Sequence, residues 1–370
     1  MFFIWGKNSL SEDIYHLLCA DDQKNVTFIE TNPRMDGEVY ENSVLTLPEK
    51  VKVEEVEKVI IPAYGSLLEK NIMKSLKELG CELDKVWIMS LDCMKAEIEE
   101  CENLRAIVEK GTTPFLHYLE FEVTHHCNLK CKACSHFSPL SEEKFGSLDE
   151  YVRDLTQLSK FVDTFEEIRL MGGEPLLNDE LYRFVEETRK IYPISTISVV
   201  TNGLKLAGID ERLKETMRKT NSQFSISLYP PVKSFIGSVA QDLNGEGVKC
   251  ICGFEADTFA AQLRLEGDSD PANAEEFCWE ANCPTIEDGR ISKCSFGMKV
   301  PVLKRHFNLD ADFPDDTLDL FDENLTSQKL FEFLVSPEPL CRFCGKKRTF
   351  DWEKAGKNPP LEDWLGDGRI

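Results

Sequence analysis

Between Tyr118 and Tyr229, short apolar runs with a period of two alternate with longer runs of helical period, and this alternation constrains the fold more than any other feature. The extended runs are YLEFEVT, EEIRLMG, TISVVTN and QFSISLY, with weaker ones at GVKCICGF and RISKCSF. Segments such as SLDEYVRDLTQLSKFVD and NDELYRFVEETRKIY stand between the early ones with apolar residues at helical spacing. A long strand–helix alternation predicts a parallel sheet closed wholly or partly into a barrel, with working residues at the carboxyl ends of the strands. THHCNLKCKAC, GGEP, TNG and SLYPP all fall at those ends.

The first 110 or so residues repeat the alternation on a smaller scale. FFIW, VTFIET, KVIIPAY and KVWIMS read as strands, SLSEDIYHLL and GSLLEKNIMKSLKELG as helices, and Gly80 closes the second helix. This is a Rossmann-like α/β pattern with weak nucleotide credentials. Gly6 stands alone where a dinucleotide fold carries three glycines, although Glu30 ends the second strand where a ribose-binding acid would sit. A structural or docking domain is the expectation. With the linker EKGTTP between the two series, the expected domains are 1–112, 113–275 and an irregular, cysteine-bearing 276–370.

Composition narrows the partners. The formal net charge is −23, which opposes binding to nucleic acid or an anionic membrane, since each requires a basic face. The sequence contains no apolar run of membrane-spanning length, and its first residues do not have the pattern of a signal peptide, so the expected location is cytoplasmic. There the 14 cysteines stay reduced, and clustered ones read as metal or redox ligands. Cys19, Cys81, Cys93 and Cys101 are scattered and read as small buried hydrophobes; Cys250 and Cys252 form a pair.

Cys127, Cys131 and Cys134 have the spacing C-x3-C-x2-C and no fourth partner nearby. A structural zinc site closes with four ligands, whereas an iron–sulfur cubane held by three thiolates leaves one iron open. CNLKCKAC resembles the cluster loop of the radical S-adenosylmethionine (SAM) enzymes. MGGEP at 171–175, VVTNG at 199–203 and SISLY at 225–229 are similar to that family's later motifs, in the same order. The resemblance implies a partial (β/α)6 TIM-like barrel and a [4Fe–4S] cluster on Cys127, Cys131 and Cys134. It also implies SAM bound near Gly172, Gly173, Glu174, Pro175, Asn202 and Ser227, with Glu174 accepting from its amino group. Glycines at 172 and 173 would permit close backbone approach to such a ligand. The family often places an aromatic residue before the third cysteine, to pack on adenine. Here that residue is Ala133, and Phe137 is either a substitute or part of the core.

Cys278, Gly289 and Cys294, followed by Cys341 and Cys344, resemble the SPASM and twitch extensions of the same superfamily, which bind auxiliary clusters. CPTIEDGRISKC reads as a β-hairpin turning at Asp288-Gly289. One auxiliary [4Fe–4S] cluster is expected, with Cys278 or Cys283 as the fourth ligand beside Cys294, Cys341 and Cys344; a zinc ribbon is the alternative. A spare Cys283 is either simply buried or a hydrogen-atom donor. The resemblance thus implies SAM cleavage and hydrogen abstraction. Oxidation or epimerisation of a small polar metabolite or sugar derivative is expected, with electrons from a donor such as flavodoxin or ferredoxin. Peptide modification is the second reading, and a non-enzymatic iron–sulfur or zinc regulator the third.

Overall fold

The computed structural model describes residues 1–62, 66–110, 115–276, 278, 280, 283–337 and 339–369. Residues 111–114 of the expected linker and the side chain of Cys93 lie outside the described set. The chain divides into two compact units.

The first unit comprises 1–118, 157–166 and 322–336. Its strands are β1 (Phe2–Trp5), β2 (Val26–Ile29), β3 (Val39–Tyr40), β4 (Ser43–Thr46), β5 (Lys58–Pro62) and β6 (Val86–Met89), in the sheet order β3-β4-β2-β1-β5-β6. All pairings are parallel except β3 with β4, a short hairpin that sequence periodicity does not resolve. Phe2, Phe3, Ile4 and Trp5 are all buried, as expected of a central parallel strand covered on both faces. The expected helices appear as Ser9–Leu17 and Ser66–Glu78, and Gly80 adopts φ +83° just beyond the second.

The first helix leaves little for a phosphate. The Asn8 side chain accepts from the amides of Leu10 and Ser11, and the Ser11 hydroxyl accepts from the Asn8 amide, so these N-terminal donors are already used. Glu30 likewise accepts from the Lys7 and Asn32 amides. The chain returns to this unit through the helix Ser327–Val335, where Leu330 and Phe331 are buried and Gln328 accepts from the amides of Leu83 and Asp84. A contiguous boundary near 112 misses both returns, because strand–helix alternation reports local order and not where a later segment packs.

The second unit comprises 119–156, 167–321 and 337–370. Its strands, the first residues of β7 and β8 apart, are β7 (Phe115–Thr124), β8 (Thr164–Gly172), β9 (Thr196–Thr201), β10 (Gln223–Leu228), β11 (Lys249–Glu255), β12 (Thr258–Leu263), β13 (Thr285–Glu287), β14 (Arg290–Ser292), β15 (Thr317–Asp319), β16 (Cys344–Asp351) and β17 (Asp367–Arg369). Helices Leu148–Leu158, Leu181–Ile191, Glu211–Lys219 and Ile236–Gly245 connect the strands from β7 to β11. The main sheet runs β11-β10-β9-β8-β7-β13-β14-β15, a mixed α/β arrangement that stays open among the described strands. β8 to β11 pair in parallel, and β13 pairs in parallel with β7.

RISKCSF, expected among the barrel strands, is instead the second arm of the β13–β14 hairpin. The Asp288-Gly289 turn, with φ +50° and +76°, reverses the chain too soon for a parallel crossover. The acidic LDADFPDDTLDLFDENL stretch contributes β15 and a buried Asp316 that accepts from the Leu340 amide. Strands β12, β16 and β17 form a separate antiparallel sheet. Of the scattered cysteines, Cys81 is buried but Cys19 is exposed, contrary to expectation.

Candidate active site

β7 ends at Thr124 and releases the loop that carries the cysteine triplet. Lys130 and Ala133 adopt φ +55° and +52°, a tight local winding that brings the three thiols into electrostatic contact. Burial pushes all three thiols up, Cys134 to about 11. Donors surround the sulfurs: Cys127 Sγ accepts from the Leu129 amide at 3.4 Å and Asn202 Nδ2 at 3.6 Å, and Cys131 Sγ from Trp352 Nε1 at 3.1 Å. Such donors suit thiolates rather than thiols.

Gly172 and Gly173 fit against this loop. A Cβ at Gly173 would lie 1.9 Å from the His126 carbonyl oxygen, and one at Gly172 would lie 2.3 Å from that of Thr124. The Gly173 amide donates to Thr124 O (2.6 Å) and the Glu174 amide to His126 O (3.0 Å). These glycines permit close approach to the end of β7 and to the start of the cysteine loop.

Glu174 is fully buried, and burial lifts its carboxyl to about 7. Its oxygens accept from Thr201 Oγ1 (2.6 Å) and the amides of Asn202 (2.8 Å) and Leu176 (3.1 Å). GGEP and TNG are thereby tied together, with Pro175 opening the intervening turn. Asn202 extends the brace, its Nδ2 also donating to Asn128 Oδ1 at 2.8 Å. Ser227 is buried at the end of β10, beside Tyr229, whose hydroxyl interacts electrostatically with all three cysteines. Phe137 has no exposed surface and packs at 5.8 Å from Phe296 in a hydrophobic core, so it is not the adenine substitute considered from sequence.

Sequence reasoning missed a buried ionic cluster beside the loop. Glu122 receives Lys299 Nζ at 2.7 Å, His136 Nδ1 at 2.7 Å and His125 Nδ1 at 3.3 Å, and Lys299 also pairs with Glu287 at 2.7 Å. Burial opposes ionisation, but the Lys299 ammonium and the two imidazoles hold the Glu122 carboxyl well below its usual range. The alternation of Glu120 and Glu122 with Leu119, Phe121 and Val123 was the available signal: it marks a strand with one charged buried face. Lys132, within the cysteine loop, is paired with Glu353 and Asp363.

Cys278, Cys294, Cys341 and Cys344 line one pocket with Lys293, Ala274, Phe296 and Leu340. Cys283 is not among the lining residues. Its thiol is pushed well up by burial, with further contributions from Glu120 and Glu280, while Arg169 acts in the opposite sense. Among the described residues, no three Cys, His, Asp or Glu side chains are gathered as a single metal ion would require. A cubane distributes its thiolates over separate irons and does not demand that convergence.

The fold and the site together define an α/β domain with a three-thiol loop at its strand ends. Residues 121–229 match the family described as the Radical SAM superfamily, and the chain carries a radical SAM domain. A GTP 3′,8-cyclase of Listeria monocytogenes is 37% identical over 101 residues, covering 26% of this chain and 30% of that protein. One of Staphylococcus epidermidis is 30% identical over 161 residues, covering 40% and 43%. The chain thus spans less than half the length of these curated relatives. Among solved structures, BtrN in complex with AdoMet and 2-DOIA aligns over 62% of this chain and 92% of its own, with 19% identity and a TM-score of 0.40. The family implies a [4Fe–4S] cluster and SAM, and three clustered thiols with N–H donors aimed at their sulfurs fit a cluster. No helix among the described residues is long and apolar enough to cross a membrane.

Proposed function

We propose that this chain is a radical SAM enzyme acting on a small polar metabolite, with Cys127, Cys131 and Cys134 holding the [4Fe–4S] cluster. The observation that carries the proposal is the braced three-thiol loop, with Gly173, Glu174 and Asn202 all bonded to its backbone or side chains or to each other. When bound, the cluster supplies the electron that cleaves SAM to methionine and the 5′-deoxyadenosyl radical that abstracts a substrate hydrogen. The protein's own part is to fix the loop, orient the substrate and keep water from the radical. A donor such as flavodoxin or ferredoxin would deliver the electron.

One face of the sheet carries polar side chains, which is in keeping with a polar substrate. Arg169 is in register with Ser198, and Ser198 with Gln223, so their side chains share one face, where Gln223 Nε2 donates to Ser198 Oγ at 3.0 Å. Ile168, Leu170, Ile197, Val199, Phe224 and Ile226 point to the opposite face and are fully buried.

The pocket lined by Cys278, Cys294, Cys341 and Cys344 favours these four as ligands of an auxiliary [4Fe–4S] cluster, leaving Cys283 outside the set. Cys283 then stands near Glu120 and Arg169 as a protonated thiol, the form that donates a hydrogen atom. A thiol donor there suits epimerisation, and an auxiliary cluster suits oxidation.

Anaerobic reconstitution tests the proposal. About eight irons per chain and formation of 5′-deoxyadenosine from SAM and dithionite are expected, four irons for each cluster. Alanine at any of the first three cysteines should abolish 5′-deoxyadenosine, and Cys278→Ala should lose about half the iron. Cys283→Ala should keep all the iron and lose solvent-derived hydrogen in the product. Zinc in place of iron, or no SAM cleavage, overturns the reading. Deuterium transfer from a candidate metabolite into 5′-deoxyadenosine would identify the substrate, and transfer only from a peptide would refute the metabolite.

A further inference from the structure

Two tryptophans near the end of the sequence reach the cysteine loop. Trp352 Nε1 donates to Cys131 Sγ at 3.1 Å, and Trp364 Nε1 donates to the Cys134 carbonyl oxygen at 3.2 Å. The segment between them is fixed to the loop by backbone bonds. Cys131 and Lys354 form an antiparallel bridge, the Lys132 amide donates to Glu353 O (3.0 Å) and the Ala355 amide to Lys130 O (2.8 Å). The Trp352 amide is itself held by Asp257 O at 2.7 Å, and the buried Trp364 belongs to the core around Phe137 and Phe296. The Trp352 indole is therefore a donor of fixed position, aimed at one sulfur of the triplet.

The geometry points to Trp352 as a positioning residue that sets the reduction potential of the cluster on Cys127, Cys131 and Cys134; this rests on the functional reading given above. An N–H directed at a ligating sulfur stabilises the reduced, more negatively charged cluster more than the oxidised one, and so raises the potential. The Leu129 and Asn202 donors to Cys127 are longer, at 3.4 and 3.6 Å, than the Trp352 bond to Cys131. Trp364 bonds a carbonyl oxygen and holds the loop without acting on a sulfur.

The test uses the reconstituted full chain and an EPR-monitored redox titration. Trp352→Phe should move the midpoint potential to a more negative value, while Trp364→Phe leaves it at the wild-type value and lowers iron retention. An unchanged or more positive potential in Trp352→Phe overturns the inference. A second readout requires no variant. Wild-type protein labelled with 15N-indole tryptophan should show a 15N hyperfine coupling to the reduced cluster in pulsed EPR, and absence of that coupling also overturns it. Wild-type chain that takes up no cluster overturns the functional reading as well, and this is seen before either comparison is made.

Discussion

A methyl group at position 173 would land 1.9 Å from the His126 carbonyl oxygen, so the loop must move before alanine fits there. Gly173→Ala should cost about 1–3 kcal/mol or more as an overpacked site. The expected outcome is a lower melting temperature and reduced iron uptake, checked by calorimetry and iron analysis. One residue on, the Glu174 carboxyl rises from 4.5 to about 7 because it is buried. A raised folded value means that its proton is held more tightly in the folded chain. Its contribution to stability is complete below about pH 4.5 and is lost as pH climbs through about 7, at most about 3 kcal/mol in all. The stability difference between wild type and Glu174→Gln should therefore shift against the wild type over that range and flatten above it, as read by denaturant melts at stepped pH. The cysteine triplet was legible in sequence because its spacing is local. Trp352 was not, since its bond to Cys131 spans 221 residues; two tryptophans in an otherwise charged tail were the only hint.

Among elements, the helices and parallel strands were legible wherever one face is apolar and the opposite face polar or covered. Ile168 and Leu170 alternate with Glu167 and Arg169, and β8 forms as expected. The hairpin of β13 and β14 is equally plain from Asp288-Gly289, yet RISKCSF by itself also suits a strand of the barrel series. Only the turn decides between them, because a parallel strand needs a long crossover. Gly289 has φ +76°, and its amide donates to the buried Asp154 Oδ2 at 2.7 Å. Gly289→Ala should cost about 1–2 kcal/mol for the left-handed backbone, seen as a fall in melting temperature with the far-UV spectrum unchanged. Pairing of β12 with β16 escaped notice because 263 and 344 are joined only through distant chain, which no period of two can report.

At the scale of the whole molecule, the first unit is not a contiguous stretch, since the helix Ser327–Val335 completes it. A fragment of residues 1–118 loses the buried Leu330 and Phe331 and leaves the Leu83 and Asp84 amides without Gln328. That fragment should melt below the first-unit transition of the full chain, and a synthetic peptide of 322–336 should raise its melting temperature; no rise would show that the helix is dispensable. The strap from Trp352 to Trp364 has a related consequence for the order in which the protein is made. Cys131 leaves the ribosome 221 residues before Trp352. At about 5–20 residues per second, the cysteine loop waits roughly 10 to 45 seconds for the segment that braces it. Until then the triplet lacks its clasp, so iron delivered after release meets a finished cradle, whereas iron delivered earlier meets a loose one.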